Sequence, residues 1–204
     1  EIKIKGYEIS QKMQNHAEEL LGEKIIVDAV FGIKKEKHSF TIQLKSGETL
    51  ETKTILLATG TKRLHLNVPG EKEFLGKGVS YCATCDAMFF RNKTVAVIGG
   101  SDAATTAAIT LSQLSKQVYI IYRKKELRGE TAWINAVKKT PNITVIYQTN
   151  IKEIKGSAKV EILELDKPYQ NSSQLKVDGI FIEIGSVPNI TLLADLNIET
   201  DPGS

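Results

Sequence analysis

From residue 7 onward, apolar positions recur every three or four residues. Ile9, Met13, Ala17 and Leu20 share one face, which predicts a helix over Tyr7–Leu21, stopped by Gly22 and packed on a core. The period then shortens to two. Strands are expected over Lys24–Ile33, Ser39–Leu44 and Thr49–Ala58. Phe40, Ile42 and Leu44 alternate as in a half-exposed antiparallel hairpin turning at Ser46-Gly47. Thr61 to Gly78, with Pro69-Gly70, Gly76 and Gly78, reads as a connection between domains.

Beyond it the pattern changes. Thr94–Ile98 (TVAVI) and Gln117–Ile121 are short, continuous apolar runs, as in strands buried on both faces. An Ala- and Leu-rich helix is expected from Asp102 to about Leu114, and a second near Thr131–Lys138, ending before Pro141 and packing Trp133. A third strand follows at Ile143–Tyr147. Ile151–Leu165 reads as a two-stranded antiparallel excursion turning near Gly156-Ser157. A last strand, Val177–Ile184, leads into Gly185-Ser-Val-Pro-Asn189. Strands alternating with helices predict an α/β fold with a parallel sheet.

Composition narrows the class. The 204 residues are 41% hydrophobic and 25% charged, as in an ordinary globular protein, and the net charge of +3 is interspersed, which points away from nucleic acid. Runs such as Val95–Ile98 are too short to span a bilayer, so no membrane is expected. Only two cysteines occur, Cys82 and Cys85, which suits a reducing compartment, and we expect a cytoplasmic protein.

Both cysteines lie in one CxxC, with Asp86 directly after it. A structural staple across so short a ring removes little chain entropy. A zinc half-site would need two more ligands, and His16, His38 and His65 lack finger spacing, so no metal is expected. A pair of unreactive buried thiols remains open. A redox dithiol is the favoured reading, and the adjacent carboxylic acid can move the protons that thiolate chemistry requires.

Thr94–Ile121 spells strand, glycine turn, helix, strand, the βαβ core of a dinucleotide site. The turn reads G-x-S-x-x-A: Gly99 makes the tight bend and Ala104 lets the helix approach the strand. The residues from Gly99 and Gly100 through Ser101, Asp102 and Ala103 to Ala104 open the helix end that would meet a pyrophosphate. Ser101 replaces the usual middle glycine. After the second strand come Tyr122, Arg123 and Lys124, with Arg128 one turn on, where an NAD site would carry an acid. The cluster favours NADP(H), and a solvated basic turn is the alternative.

The run GVSYCATCD (Gly78–Asp86), then VAVIGGSDAA and YRKKELR, resembles the low-molecular-weight, FAD-dependent thioredoxin reductases. Ala58-Thr59-Gly60 looks like that family's ATG turn in the FAD domain, and Gly185 opens a segment like its G-x-x-P-N. The resemblance runs along nearly the whole chain. It implies a Rossmann-like, three-layer NADPH-binding domain at 65–178 that carries the CxxC. Flanking it would be incomplete pieces of a second, FAD-binding Rossmann-like domain, at 1–64 and 179–204, without that domain's N-terminal G-x-G-x-x-G or its C-terminal G-D motif.

The resemblance also implies a reaction and a partner. NADPH would reduce FAD, and the electrons would pass to a Cys82–Cys85 disulfide and on to thioredoxin or a similar small disulfide carrier. Cys85 would face the flavin, Cys82 would attack the partner disulfide, and Asp86 would be the acid/base. Two domain orientations and a homodimeric parent are implied. Lys77, Phe89 and Phe90 stand where thioredoxin would dock, the two phenylalanines reading equally as core. Departures are Tyr122 and Lys124 in place of the family's His and Arg, Thr106-Ala107 in place of an acidic pair, and Ala87 in place of a glycine. Two rival readings stand beside this one. In the first, the chain binds NADP(H) without catalysis of its own; in the second, a related flavoprotein uses another donor or another disulfide carrier.

Overall fold

The computed structural model describes residues 4–22, 25–194, 196 and 198. The chain divides into two compact units, one from residues 1–60 with 189–204, the other Thr61–Pro188. The second unit contains the paired strands at 61–63 and 186–188 and the buried strand at 179–182.

In the first unit, helix α1 (Gly6–Leu21) ends where Gly22 takes φ of +57°. None of its residues is buried. Ile9, Met13 and Leu20 are 42%, 69% and 72% exposed, so the face expected on a core has no cover among the described residues. Strands β1 (Val30–Lys35), β2 (Phe40–Leu44) and β3 (Thr49–Thr52) form an antiparallel sheet in that order, with Ile42 opposite both Ile33 and Leu50. The expected strand 24–33 starts outside the described residues at Lys24, and pairing begins only at Val30. The expected strand Thr49–Ala58 stops at Thr52, whose hydroxyl turns to the carbonyl of Thr54 (3.0 Å) and offers the backbone an alternative to the ladder.

The central unit opens with β4 (Thr61–Arg63), then β5 (Val79–Ser80) and the short helix α2 (Ala83–Asp86), followed by a 3-10 turn, Ala87–Phe90. Next come β6 (Thr94–Ile98), α3 (Asp102–Ser112), β7 (Gln117–Tyr122), α4 (Thr131–Lys139) and β8 (Ile143–Tyr147). An antiparallel excursion follows, β9 (Ile151–Gly156), β10 (Val160–Tyr169) and β11 (Ser172–Lys176), before β12 (Gly179–Ile182) and β13 (Ser186–Pro188). The parallel sheet runs β5-β12-β6-β7-β8, and β13 pairs with β4 as a separate ribbon.

Alternation in the buried strands builds two cores. Val95, Val97, Ile120 and Phe181 point to the layer of α3 and α4, where Ala104, Ala108 and Leu111 are fully buried. Ala96, Ile98, Ile180 and Ile182 point the other way, onto Ile154, Leu163 and Leu165 of the excursion. The result is helices, parallel sheet and antiparallel sheet in three layers. Trp133 stands 40% exposed, against the expectation of packing, because Val137 with Ile134 supplies the buried face of α4.

Candidate functional site

Cys82 caps α2 from the end of β5: its Sγ accepts the N–H of Cys85 at 3.2 Å, and a disulfide joins the two cysteines. Asp86 closes the same turn, its N–H reaching the Cys82 carbonyl at 3.2 Å. Its carboxylate accepts the Ser80 hydroxyl at 2.6 Å. Cys85 is exposed, and Cys82 and Asp86 are half-buried. The three expected reacting groups thus occupy one turn at an edge of the parallel sheet. Downstream, the two phenylalanines separate. Phe90 is core, edge-on to Phe181 at 5.1 Å, whereas Phe89 and Met88 are 71% and 63% exposed.

A cleft of about 420 Å³ opens at the carboxyl ends of β6, β7 and β12. Gly99, Gly100, Ser101, Tyr122, Arg123, Lys124 and Arg128 all line it. Gly99 has φ of +141°, and a Cβ there would strike the Glu183 carbonyl. At Gly100 a Cβ would meet the Tyr122 ring at 2.5 Å. Tyr122 is only 7% exposed, so it supports the turn from below rather than standing free over it. The Ser101 hydroxyl makes no capping bond to α3, which leaves it available to a ligand at that helix's N-terminus.

The basic loop is bolted to this turn. The Arg128 N–H donates to the Gly100 carbonyl at 2.6 Å, and Leu127 is buried in the helical core. Asp102 does not line the cleft. Its Oδ1 accepts the Glu130 N–H at 2.8 Å and so holds the loop from the other side. Ala104 packs under Gly99, and Ala103 is exposed on α3. Glycines where the backbone must come close, an uncapped helix end and three exposed cations make a cradle that fits a dinucleotide phosphate.

The remaining expected cofactor residues are not in this cleft. Gly185 has φ of +105° and its carbonyl accepts the Leu64 N–H at 3.0 Å. Ala58, Thr59 and Gly60 lie exposed in the first unit, where Thr59 Oγ1 donates to the Asn189 carbonyl at 3.0 Å. Among the described residues of that unit no glycine cradle for a flavin is formed.

Sequence reasoning missed three polar groups. Glu183, buried in the cleft wall, pairs with Arg63 at 3.0 Å. Burial pushes its carboxyl above the ordinary range, and the Arg63 guanidinium offsets only part of that. Glu71, also buried, accepts the N–H groups of Leu66 and Asn67 (3.0 and 2.7 Å) and the Tyr81 hydroxyl (2.6 Å). Burial pushes it up, but these bonds and the nearby His65 outweigh burial and hold it below the ordinary value. Tyr81 is shifted upward by burial and by Glu71. Ser80 is the third; it lies in the Gly78–Asp86 run two positions before the CxxC, and nothing in that run pointed to a role for its hydroxyl.

Residues 2–204 match the profile of a family described as pyridine nucleotide-disulphide oxidoreductase. The thioredoxin reductase of Treponema pallidum (strain Nichols) is 39% identical over 193 residues, 94% of this chain and 62% of that protein. A protein of Bacillus subtilis (strain 168) named NADH dehydrogenase is 36% identical over 156 residues, 76% of this chain and 31% of its own length. The crystal structure of Lactococcus lactis thioredoxin reductase in its FR conformation superposes with a TM-score of 0.81 at 34% identity, covering 96% of this chain and 64% of that one. The chain thus spans less than two thirds of the length of these relatives. With the profile matched along almost all of its residues, the chain belongs to the pyridine nucleotide-disulphide oxidoreductase family.

Proposed function

We propose that this chain is the nucleotide- and disulfide-bearing part of an NADPH-dependent, flavin-containing thioredoxin reductase, in which 65–178 is the NADPH domain and the flanks belong to an FAD domain. One observation carries the reading. A single unit holds both an adjacent-turn disulfide beside a carboxylic acid and a glycine cradle ringed by Arg123, Lys124 and Arg128.

Bound nucleotide would supply a hydride equivalent, two electrons in all. The chain's own residues do the rest. Arg123, Lys124 and Arg128 hold a ribose 2′-phosphate by charge-assisted bonds, and Ser101 with the α3 N-terminus holds the pyrophosphate. Once Cys82 and Cys85 are thiols, Cys82 attacks the partner disulfide, a mixed disulfide forms, and Cys85 closes the ring and frees the partner. Asp86 exchanges the protons of the thiolates involved. Exposed Phe89 and Met88, with Lys77 lining the same cleft as Phe89, offer a thioredoxin-like partner an apolar contact a few residues beyond the disulfide.

The name of the Bacillus subtilis relative favours a second reading, in which the donor is NADH. Calorimetric titration with each nucleotide decides between them. Removing one charge-assisted contact costs about 1.5–3 kcal/mol, so Arg123→Ala is expected to weaken NADPH at least tenfold and leave NADH unchanged. Equal affinities that do not respond to the substitution overturn the 2′-phosphate assignment. After reduction with dithiothreitol and removal of the reagent, the chain is expected to reduce a thioredoxin disulfide stoichiometrically. Cys82→Ser and Cys85→Ser are each expected to abolish this, and a parental yield in either removes the disulfide mechanism. No helix among the described residues is long and apolar enough to cross a membrane. We place the protein in the cytoplasm on its cysteine content, a placement that fractionation of the source cells tests.

A further inference from the structure

We infer that Ser80 is a positioning residue for the redox turn: its hydroxyl bridges the Asp86 carboxylate to the backbone of Cys82. The inference rests on the reading of Asp86 as an acid/base. Ser80 Oγ donates to Asp86 Oδ2 at 2.6 Å and accepts the Cys82 N–H at 3.0 Å. Ser80 is 5% exposed and sits in β5, paired with Phe181 of β12 in the parallel sheet. The reference point for the acid is therefore the sheet rather than α2, which is only four residues long and has few bonds of its own. A carboxylate on so short a helix would otherwise sample several rotamers, and a proton donor is effective only when held at the reacting atom.

Asp86 and Ser80 both border open space through which protons can exchange. Asp86 lines a second cleft of about 360 Å³, together with Lys77, Lys93, Lys159 and Asp178. These four are the other charged groups that line this cleft, and the cysteines lie beside Asp86 in the same turn. Of them, Asp178 is engaged by the Thr94 N–H at 3.0 Å, and Lys93 lies over the Phe90 ring at 5.5 Å. None of the four shares a hydrogen bond with Ser80, whose own partners lie at the disulfide turn.

The test uses the 204-residue chain and dithiothreitol, with no flavin or nucleotide required. A thiolate of the reagent attacks one sulfur, the Cys82–Cys85 bond breaks as a mixed disulfide forms, and the released cysteine thiolate takes a proton from Asp86. The reagent's second thiol then closes its own ring and releases the other cysteine. Two electrons and two protons pass from reagent to chain. The rate is followed by thiol labelling from about pH 5 to about pH 9, across which the reagent's thiolate fraction rises.

Ser80→Ala is expected to slow reduction about tenfold at the acidic end, below the full effect of losing a general acid. It is also expected to change the shape of the pH profile, the loss being larger at acidic than at alkaline pH. Ser80→Thr keeps the hydroxyl and is expected to stay within about twofold of the parent, and Ser80→Ala/Asp86→Asn should be no slower than Asp86→Asn alone. Asp86→Glu carries the carboxylate past the hydroxyl without touching the buried position. It should reproduce the Ser80→Ala profile, which keeps the proposal testable if the alanine variant does not fold. A Ser80→Ala rate that equals the parent's, that falls by the same factor at every pH, or whose loss adds fully to that of Asp86→Asn overturns the role of Ser80. If Asp86→Asn is slow while Ser80→Ala is unaffected, the acid/base reading survives and only Ser80 is removed. If Asp86→Asn itself is unaffected, both fall.

Discussion

Glu71 and Glu183 are both enclosed in the central unit, and their surroundings push them in opposite directions. Glu71 is held below its ordinary 4.5, so it contributes stability that is present above that value and lost as pH falls through its lowered folded value. Glu71→Gln would turn an amide toward N–H groups that need an acceptor. It is expected to cost about 1–3 kcal/mol at neutral pH and to flatten the loss of stability on acidification below about pH 4.5, measured by urea denaturation. Glu183 has the opposite sign. Its folded form holds a proton more tightly than the unfolded chain does, so stability falls as pH rises from 4.5 through its raised value. Arg63→Met would remove its partner and is expected to destabilise by about 2 kcal/mol at neutral pH, with the deficit shrinking toward pH 5. A deficit constant with pH would assign the loss to packing. At Gly99, a methyl group at φ of +141° would meet the Glu183 carbonyl. Gly99→Ala is therefore expected to cost at least about 1–3 kcal/mol in thermal unfolding and to abolish nucleotide binding in calorimetry.

At the scale of elements, the excursion is a structural layer in its own right. Leu163 is fully buried between it and the sheet, so Leu163→Ala is expected to destabilise by about 2–5 kcal/mol in chemical denaturation. A loss under about 1 kcal/mol would show that this layer is dispensable. Its first two strands were legible in the sequence from their alternation and the Gly156 turn. The third was not, because Ser172–Lys176 is polar except for Leu175. Thr94–Ile98 was legible to the residue because a strand in the middle of a layered sheet shows a continuous apolar run, and Ile143–Tyr147 was legible from its β-branched residues although it is the edge strand of that sheet. The stripe on α1 fixed the helix but not its cover, because periodicity records which side is apolar and says nothing of what meets it. The glycine turn, the cations and the CxxC were readable because each is contiguous in sequence. Arg63 with Glu183, 120 positions apart, and Ser80 with Asp86 are products of tertiary folding that no local pattern announces.

At the scale of the molecule, the first unit is interrupted by the second, and the cleft and the disulfide belong wholly to Thr61–Pro188. A polypeptide of 61–188 alone is expected to fold cooperatively and to bind NADPH within about threefold of the full chain, since that stretch holds the whole cleft and the parallel sheet beneath it. Circular dichroism and calorimetry check this, and an unfolded or non-binding product would show that the flanks are needed. Strand β4 begins that stretch and β13 ends it, paired antiparallel with Pro188 opposite Thr61. Entry and exit of the inserted stretch are thus neighbours. An interruption of this kind can be spliced into a surface loop of a host protein with little disturbance. It can be lifted out as a cassette, or re-closed by a few linking residues and opened elsewhere. Such geometry lets one redox module be traded among unrelated scaffolds, by recombination or by an engineer.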